Sequence, residues 1–344
     1  MSQVKTIFFI LLCLAAGVGL GKAYMWWTQP KRGFENSERP ALITGVGDAP
    51  SHRGFAIKGG DLGRLDAVLK EAQGLFATTI GVEYAPDVTR EALTSAAAAA
   101  HRGNFAIILL PPPAFAPQNP YPRPLAEIAA DAQAAGVDYL CVSWLNTDPD
   151  PDYWRQQAQA VRAVFNGKIV LAGQAAVLPQ VACWDAADIV GAVGPMALAQ
   201  RLPGAPEDVT VHDLRVAWDC SLTSLESLAQ VNNKKLALLH MNVPVEVTAR
   251  LPSPDAANVA PAKNPALQQA IYEALLLETK GRAEMTDALL FDWGDAGEAD
   301  APNLMPGMLA RIGQAWDPKK PRTVETVPEE PPAEDGDDGA AAGN

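Results

Sequence analysis

Short, nearly continuous apolar runs alternate along the body of the chain with stretches in which apolar residues recur every three or four positions. ALITGVG (41–47) is followed by the helical pattern DLGRLDAVLKEAQG (61–74). LFATTIGVEY (75–84) precedes REALTSAAAAAHRG (90–103), FAIILLPPP (105–113) precedes LAEIAADAQAAG (125–136), and DYLCVSW (138–144) precedes DYWRQQAQAVRAVFNG (152–167). KIVLAG (168–173) leads to a short helix over 178–186, and ADIVGAVG (187–194) leads, after a polar stretch, to DLRVAWDCSLTSLESLAQV (213–231). The last pairs are KKLALLHMN (234–242) with NPALQQAIYEALLLETKGR (264–282), and TDALLFDWG (286–294) with a closing helix at 304–316. Runs without polar alternation read as strands buried on both faces, which predicts a parallel sheet with helical crossovers. Gly74, Gly103, Gly136 and Gly167 stand where each helix must stop before the next strand. Eight such units predict an α/β fold, a (β/α)₈ TIM barrel over 41–316. A doubly wound open sheet is the rival, but no GxGxxG or GxxxxGK[ST] follows the first strand, against a nucleotide-binding version.

The two ends depart from this pattern. Thr6 to Leu20 is an apolar run behind Lys5, continued by Tyr24, Met25, Trp26 and Trp27 with Lys22 interrupting. It reads as a signal anchor or a cleavable signal peptide over 1–30, with a buried cytoplasmic helix as the third possibility. Either of the first two delivers the body across the membrane, so a membrane-anchored periplasmic or cell-surface protein, or a secreted one, is expected. From Asp317 to Asn344, Pro, Glu, Asp, Gly and Ala dominate with no large apolar residue beyond Val, which predicts a disordered acidic tail.

Composition narrows the partners. The 344 residues are 48% hydrophobic, enough for a sizeable core. Net charge is −13, part of it in the tail, and so acidic a balance excludes a nucleic-acid binder. Cys13 lies in the leader; Cys141, Cys183 and Cys220 form no Cys-x-x-Cys pair and read as buried small hydrophobes, with a disulfide between two of them left open. No histidine sits at zinc-ligand spacing from a cysteine. The pattern therefore implies neither a cofactor nor a metal.

One long stretch resembles a known family. YLCVSWLNTDPDPDYWRQQAQAVRAVFNGKIVLAG, with CWDAADIVGAVGPMAL after it, is similar to glycoside hydrolase family 113, the β-mannanase-like barrels of clan A. The matching features are Trp154-Arg155, Arg162, Phe165-Asn166-Gly167 and Trp184-Asp185, with KKLALLHMN as the seventh strand and NPALQQAIYEALL as the helix after it. The resemblance implies a retaining barrel with two carboxylates about 5–5.5 Å apart, at the ends of strands four and seven. Here the strand-four end reads Val142-Ser143-Trp144-Leu145-Asn146, with Leu145 or Trp144 at the acid/base position, and His240 stands at the nucleophile position. Leucine cannot titrate and histidine is a poor glycosyl nucleophile beside a carboxylate, so the chain is expected to lack the catalytic glutamates.

Other candidates at the expected C-terminal face are Glu83, Asn146, Asp148, His240, Asn242, Asp292 and Asp295. Glu83 and Asp292 form a tentative catalytic pair of inverting type, against the ordinary fate of solvated loop carboxylates. His240 reads equally as a core histidine or a ligand contact, whereas His52, His101 and His212 read as surface or loop residues. Trp144 and Trp293 read either as a sugar-stacking floor or as rim packing. The loops at 111–124 and 243–264 are placed to wall a cleft. The leading expectation is a barrel that binds a poly- or oligosaccharide without retaining hydrolysis. The alternatives are an active glycosidase using Glu83 and Asp292, and a membrane-anchored interaction module whose acidic tail meets a basic partner.

Overall fold

The computed structural model describes residues 48–111, 123–145, 150–194, 198, 209–243, 265–294 and 300–319. Eight parallel strands close into a barrel in the order in which they occur along the chain. They are β1 (His52–Ile57), β2 (Thr79–Glu83), β3 (Ala106–Leu110), β4 (Tyr139–Leu145), β5 (Lys168–Gln174), β6 (Ile189–Val193), β7 (Lys235–Leu239) and β8 (Thr286–Asp292). The helices are α1 (Leu65–Gly74), α2 (Arg90–Arg102), α3 (Leu125–Ala135), α4 (Pro151–Arg162), α5 (Val211–Val231), α6 (Pro265–Thr279) and α7 (Met308–Trp316). The expected TIM barrel is the observed fold.

Two elements differ from the sequence pattern. The run 41–47 lies outside the described residues, and the strand that closes the barrel is HRGFAI, hydrogen-bonded to β2 on one side and β8 on the other. Its polar opening disguises it, because His52 is not a loop residue. His52 Nε2 shares a 2.7 Å hydrogen bond with the Tyr139 hydroxyl, and Nδ1 lies 3.2 Å from Thr79 Oγ1. Between β5 and β6 the expected helix is two single 3₁₀ turns, Leu178–Gln180 and Trp184–Ala186.

The apolar strand runs conceal a period of two. Ala56, Ile108, Leu110, Cys141, Val170, Ala172, Ala237, Leu239, Ala288 and Leu290 fill the barrel interior. Their neighbours Phe55, Ile57, Ile80, Val82, Leu236, Leu238 and Phe291 pack outward under the helices. Each such side chain, fully withdrawn from water, stabilises the fold by about 1.5–3 kcal/mol.

Arg155, Arg162, Gly167 and Asp185, singled out in the sequence, lace this outer layer. The Arg155 guanidinium donates to Asp185 at 3.0 Å and to the Ala182 carbonyl at 2.8 Å, tying α4 to the segment before β6. Arg162 donates to the Gly167 carbonyl at 2.7 Å and pairs with Asp188. Gly167 has no room for a side chain, since a Cβ would lie 2.4 Å from the Phe165 ring and 2.5 Å from the Asp138 carbonyl. Cys141 and Cys183 are buried free thiols, and Cys220 is a half-buried one. Among the described residues no helix is long and apolar enough to cross a membrane. The leader 1–30 and the tail from 320 lie outside those residues.

Candidate functional site at the barrel mouth

The C-terminal strand ends of a TIM barrel are where its loops can build a site. Strand alternation turns Glu83, two residues on from inward Gly81, and Asp292, two on from Leu290, into this mouth. His240 arrives differently. The β7 alternation would send it outward with Leu236 and Leu238, but its backbone adopts a left-handed φ of 50°. That turn directs the imidazole inward, and a non-glycine residue held there costs about 1–3 kcal/mol, which the surrounding contacts must offset. Gly194, at the end of β6, supplies the constraint: its N–H donates to the Leu239 carbonyl at 3.0 Å, and a Cβ on it would lie 2.4 Å from the His240 carbonyl.

The three side chains converge on one point. His240 Nδ1 lies 2.5 Å from Asp292 Oδ1 and 3.8 Å from Glu83 Oε1. One donor atom from each of the three lies within 4.8 Å of the others. The side chains of His240 and Glu83 are 6% and 9% exposed against 27% for Asp292, so the cluster opens to solvent on the Asp292 side. Burial pushes the Glu83 carboxyl up to about 7, with Asp292 reinforcing the shift and His240 opposing it. For His240, burial alone would lower the pKa, but Asp292 and Glu83 reverse that and the imidazole holds its proton above the ordinary range.

Asn242 is a positioning residue. It is buried, and its side-chain oxygen accepts the Asp292 backbone N–H at 2.9 Å, locking the strand end that carries Asp292. The next residue is pinned from α6: Tyr272 Oη accepts the Val243 N–H at 3.0 Å, and the Gln268 amide donates to the Val243 carbonyl at 2.6 Å. The sequence pattern does not mark either anchor; its one signal is that Gln268 and Tyr272 are polar groups on an apolar helix face.

Trp293 stands beside Asp292 but on the other side of the wall. Its ring packs edge-on against Phe55 at 5.1 Å, within the cluster that includes Phe291 and Trp316. The β4 backbone carries Trp144 in register with Ala172. The Trp144 side chain, Asn146, Asp148 and Asp295 lie outside the described residues, as do 112–122 and 244–264 of the two long loops. A bulge between Cys141 and Ser143 shifts the β4 pleat, and Leu145 is buried among the outward-packed residues. The Ser143 hydroxyl is spent on the Ala172 backbone, donating to its carbonyl at 3.1 Å and accepting from its N–H at 3.3 Å. Glu83 and Asp292, the two carboxylates expected at this face, do meet: one oxygen of each lies within 4.8 Å of the other and of a His240 ring nitrogen.

Residues 117–302, just over half of the chain, match the sequence profile of Glycoside Hydrolase Family 113. The chain belongs to glycoside hydrolase family 113. Solved family 113 enzymes share its fold. The β-mannanase from Alicyclobacillus acidocaldarius, solved with ManMIm, is 17% identical, with a TM-score of 0.55 over 79% of this chain and 97% of that one. A family 113 β-1,4-mannanase gives 16% identity and a TM-score of 0.57 over 78% and 99%. A complex of a family 113 β-1,4-mannanase gives 15% and 0.57 over 76% and 97%. No curated protein sequence matches the chain.

Proposed function

We propose that this family 113 barrel binds a β-linked oligo- or polysaccharide at its C-terminal mouth and does not perform retaining hydrolysis. One observation carries the reading. The mouth gathers Glu83, His240 and Asp292 around a single point, while the described ends of β4 and β7 carry Ser143, Leu145 and His240 and no carboxylate. A retaining mechanism needs an acid/base and a nucleophile at those two strand ends. A carboxylate–imidazole cluster is instead suited to hydrogen-bonding sugar hydroxyls, because ionised acceptors give the stronger bonds. The β-mannanases of similar fold make β-1,4-mannan the first ligand to try. The apolar leader supports placing the barrel outside the cytoplasm on a membrane anchor, with the acidic tail as a solvated extension. A role in handling cell-surface polysaccharide follows from that placement.

The test incubates the folded chain with a panel of β-1,4-mannans and glucans, following binding by calorimetry and hydrolysis by release of reducing ends. Binding without release is expected. Steady release would overturn the reading, and loss of that release in Glu83→Gln would establish a second one, an active hydrolase built on Glu83 and Asp292. The second reading has its own support: two carboxylates of unlike burial lie close together, and one is pushed up to about 7, where it can donate a proton at neutral pH.

A further inference from the structure

We propose that Glu83, His240 and Asp292 form a binding site for one divalent transition-metal cation of the zinc class. The three donors come from β2, the residue after β7 and the end of β8, so no sequence spacing announces them; closing the barrel brings them together. Zinc takes imidazole nitrogen and carboxylate oxygen at about 2.0–2.2 Å, which places neighbouring donors about 3–3.5 Å apart. Here Nδ1 lies 2.5 Å from one oxygen and 3.8 Å from the other, so each of these two distances needs to change by less than about 1 Å, and the two carboxylate oxygens, within 4.8 Å of each other, would draw in around the ion. Both carboxylates approach the same imidazole nitrogen, Nδ1.

The charge balance favours a cation. Among the described residues, both carboxylates lie within ion-pair distance of His240, and the further cation acting on Glu83 is Lys58, whose field only partly offsets the two negative charges. A bound divalent ion would replace the Nδ1 proton, which leaves to solvent, and would offset both carboxylate charges. Imidazole with carboxylates selects zinc, manganese or iron over calcium, which prefers an all-oxygen set. The supporting shell is in place: Asn242 fixes the backbone of Asp292, and Gly194 fixes that of His240. Three protein ligands leave at least one position open toward the half-exposed Asp292 side, where water or a sugar hydroxyl would complete the shell. The proposal stands apart from the saccharide reading, since an ion needs no sugar to bind.

The test uses the full chain, stripped with a chelator and titrated with Zn(II) by calorimetry in two buffers of different ionisation enthalpy. One equivalent should bind, with release of a proton, and the thermal midpoint should rise. Glu83→Gln and Asp292→Asn keep side-chain shape and should each weaken binding at least about tenfold, with His240→Ala weakening it at least about a hundredfold. Circular dichroism confirms that each variant is folded, and Glu83→Gln, which removes a buried charge, decides the matter if the histidine variant does not fold. Co(II) should give a nitrogen–oxygen spectrum with no thiolate charge-transfer band. Zinc binding of equal strength in Glu83→Gln and wild type, no binding by wild type, or a thiolate band would each overturn the site. Saccharide binding by the stripped protein is measured in parallel, so that loss of one reading is not mistaken for loss of the other.

Discussion

The two ends of the barrel interior each hold a histidine among polar groups, and they solve the same burial problem in opposite ways. At the floor, His52 bonds two neutral hydroxyls, Tyr139 and Thr79, and burial lowers its pKa. Nearby Asp287 is buried but lies 3.9 Å from Lys168 Nζ and 3.7 Å from Lys235 Nζ, and Lys168 also sits over the Tyr139 ring. At the mouth, two carboxylates press on one histidine whose pKa is raised. The floor pairs its buried carboxylate with two lysines, whereas among the described residues the mouth sets two carboxylates against one histidine, with Lys58 acting on Glu83 at longer range. Such an arrangement costs stability, which is how functional sites differ from structural ones.

The largest expected effect would break the mouth by its backbone. Gly194→Val forces a side chain into the His240 carbonyl and should cost about 3 kcal/mol, measured by chemical denaturation. Next, Glu83→Gln should raise stability at pH 8 by about 2 kcal/mol, because it removes a carboxylate that folding holds well above its ordinary pKa. A loss of stability in that variant would erase the contrast between the ends.

Wild-type stability should also fall as pH rises. Glu83 goes from 4.5 in the unfolded chain to about 7 in the folded one, so folding takes up a proton between those values, and the advantage present below 4.5 is lost toward pH 7. His240, also raised, adds stability below about 6.5 that is lost as pH passes its folded value. Both act in one direction, giving at most about 1.4 kcal/mol per pH unit for each proton, and Glu83→Gln should flatten the slope. The smallest effect belongs to the floor. Tyr139→Phe removes one hydrogen bond to His52 and should cost about 1 kcal/mol with saccharide binding unchanged.

The barrel was legible because its strands are short, apolar and separated by helices with glycine stops. β1 was not, since His52 and Arg53 make it polar where it enters the floor. His240 stood out as the one imidazole in an apolar strand, but its inward turn depends on φ and on Gly194, which no periodicity encodes. Asp292 and Trp293 are adjacent and both polar-tipped at the end of β8, yet the pleat sends them to opposite sides of the wall. Leu145 faces outward because of a β4 bulge that the sequence does not mark. Pairing of Glu83 with Asp292 could be guessed, but their spacing depends on closure of the barrel.

The most direct measurement is calorimetric binding of a β-1,4-manno-oligosaccharide to wild type and to Asp292→Asn, with folding of both verified by circular dichroism. The account predicts binding by wild type without reducing-end release, weakened about ten- to a hundredfold in the variant, as expected when a charged hydrogen-bond acceptor is lost. Equal affinity in the two proteins would contradict it, because the charged cluster at the mouth would then have no part in recognition.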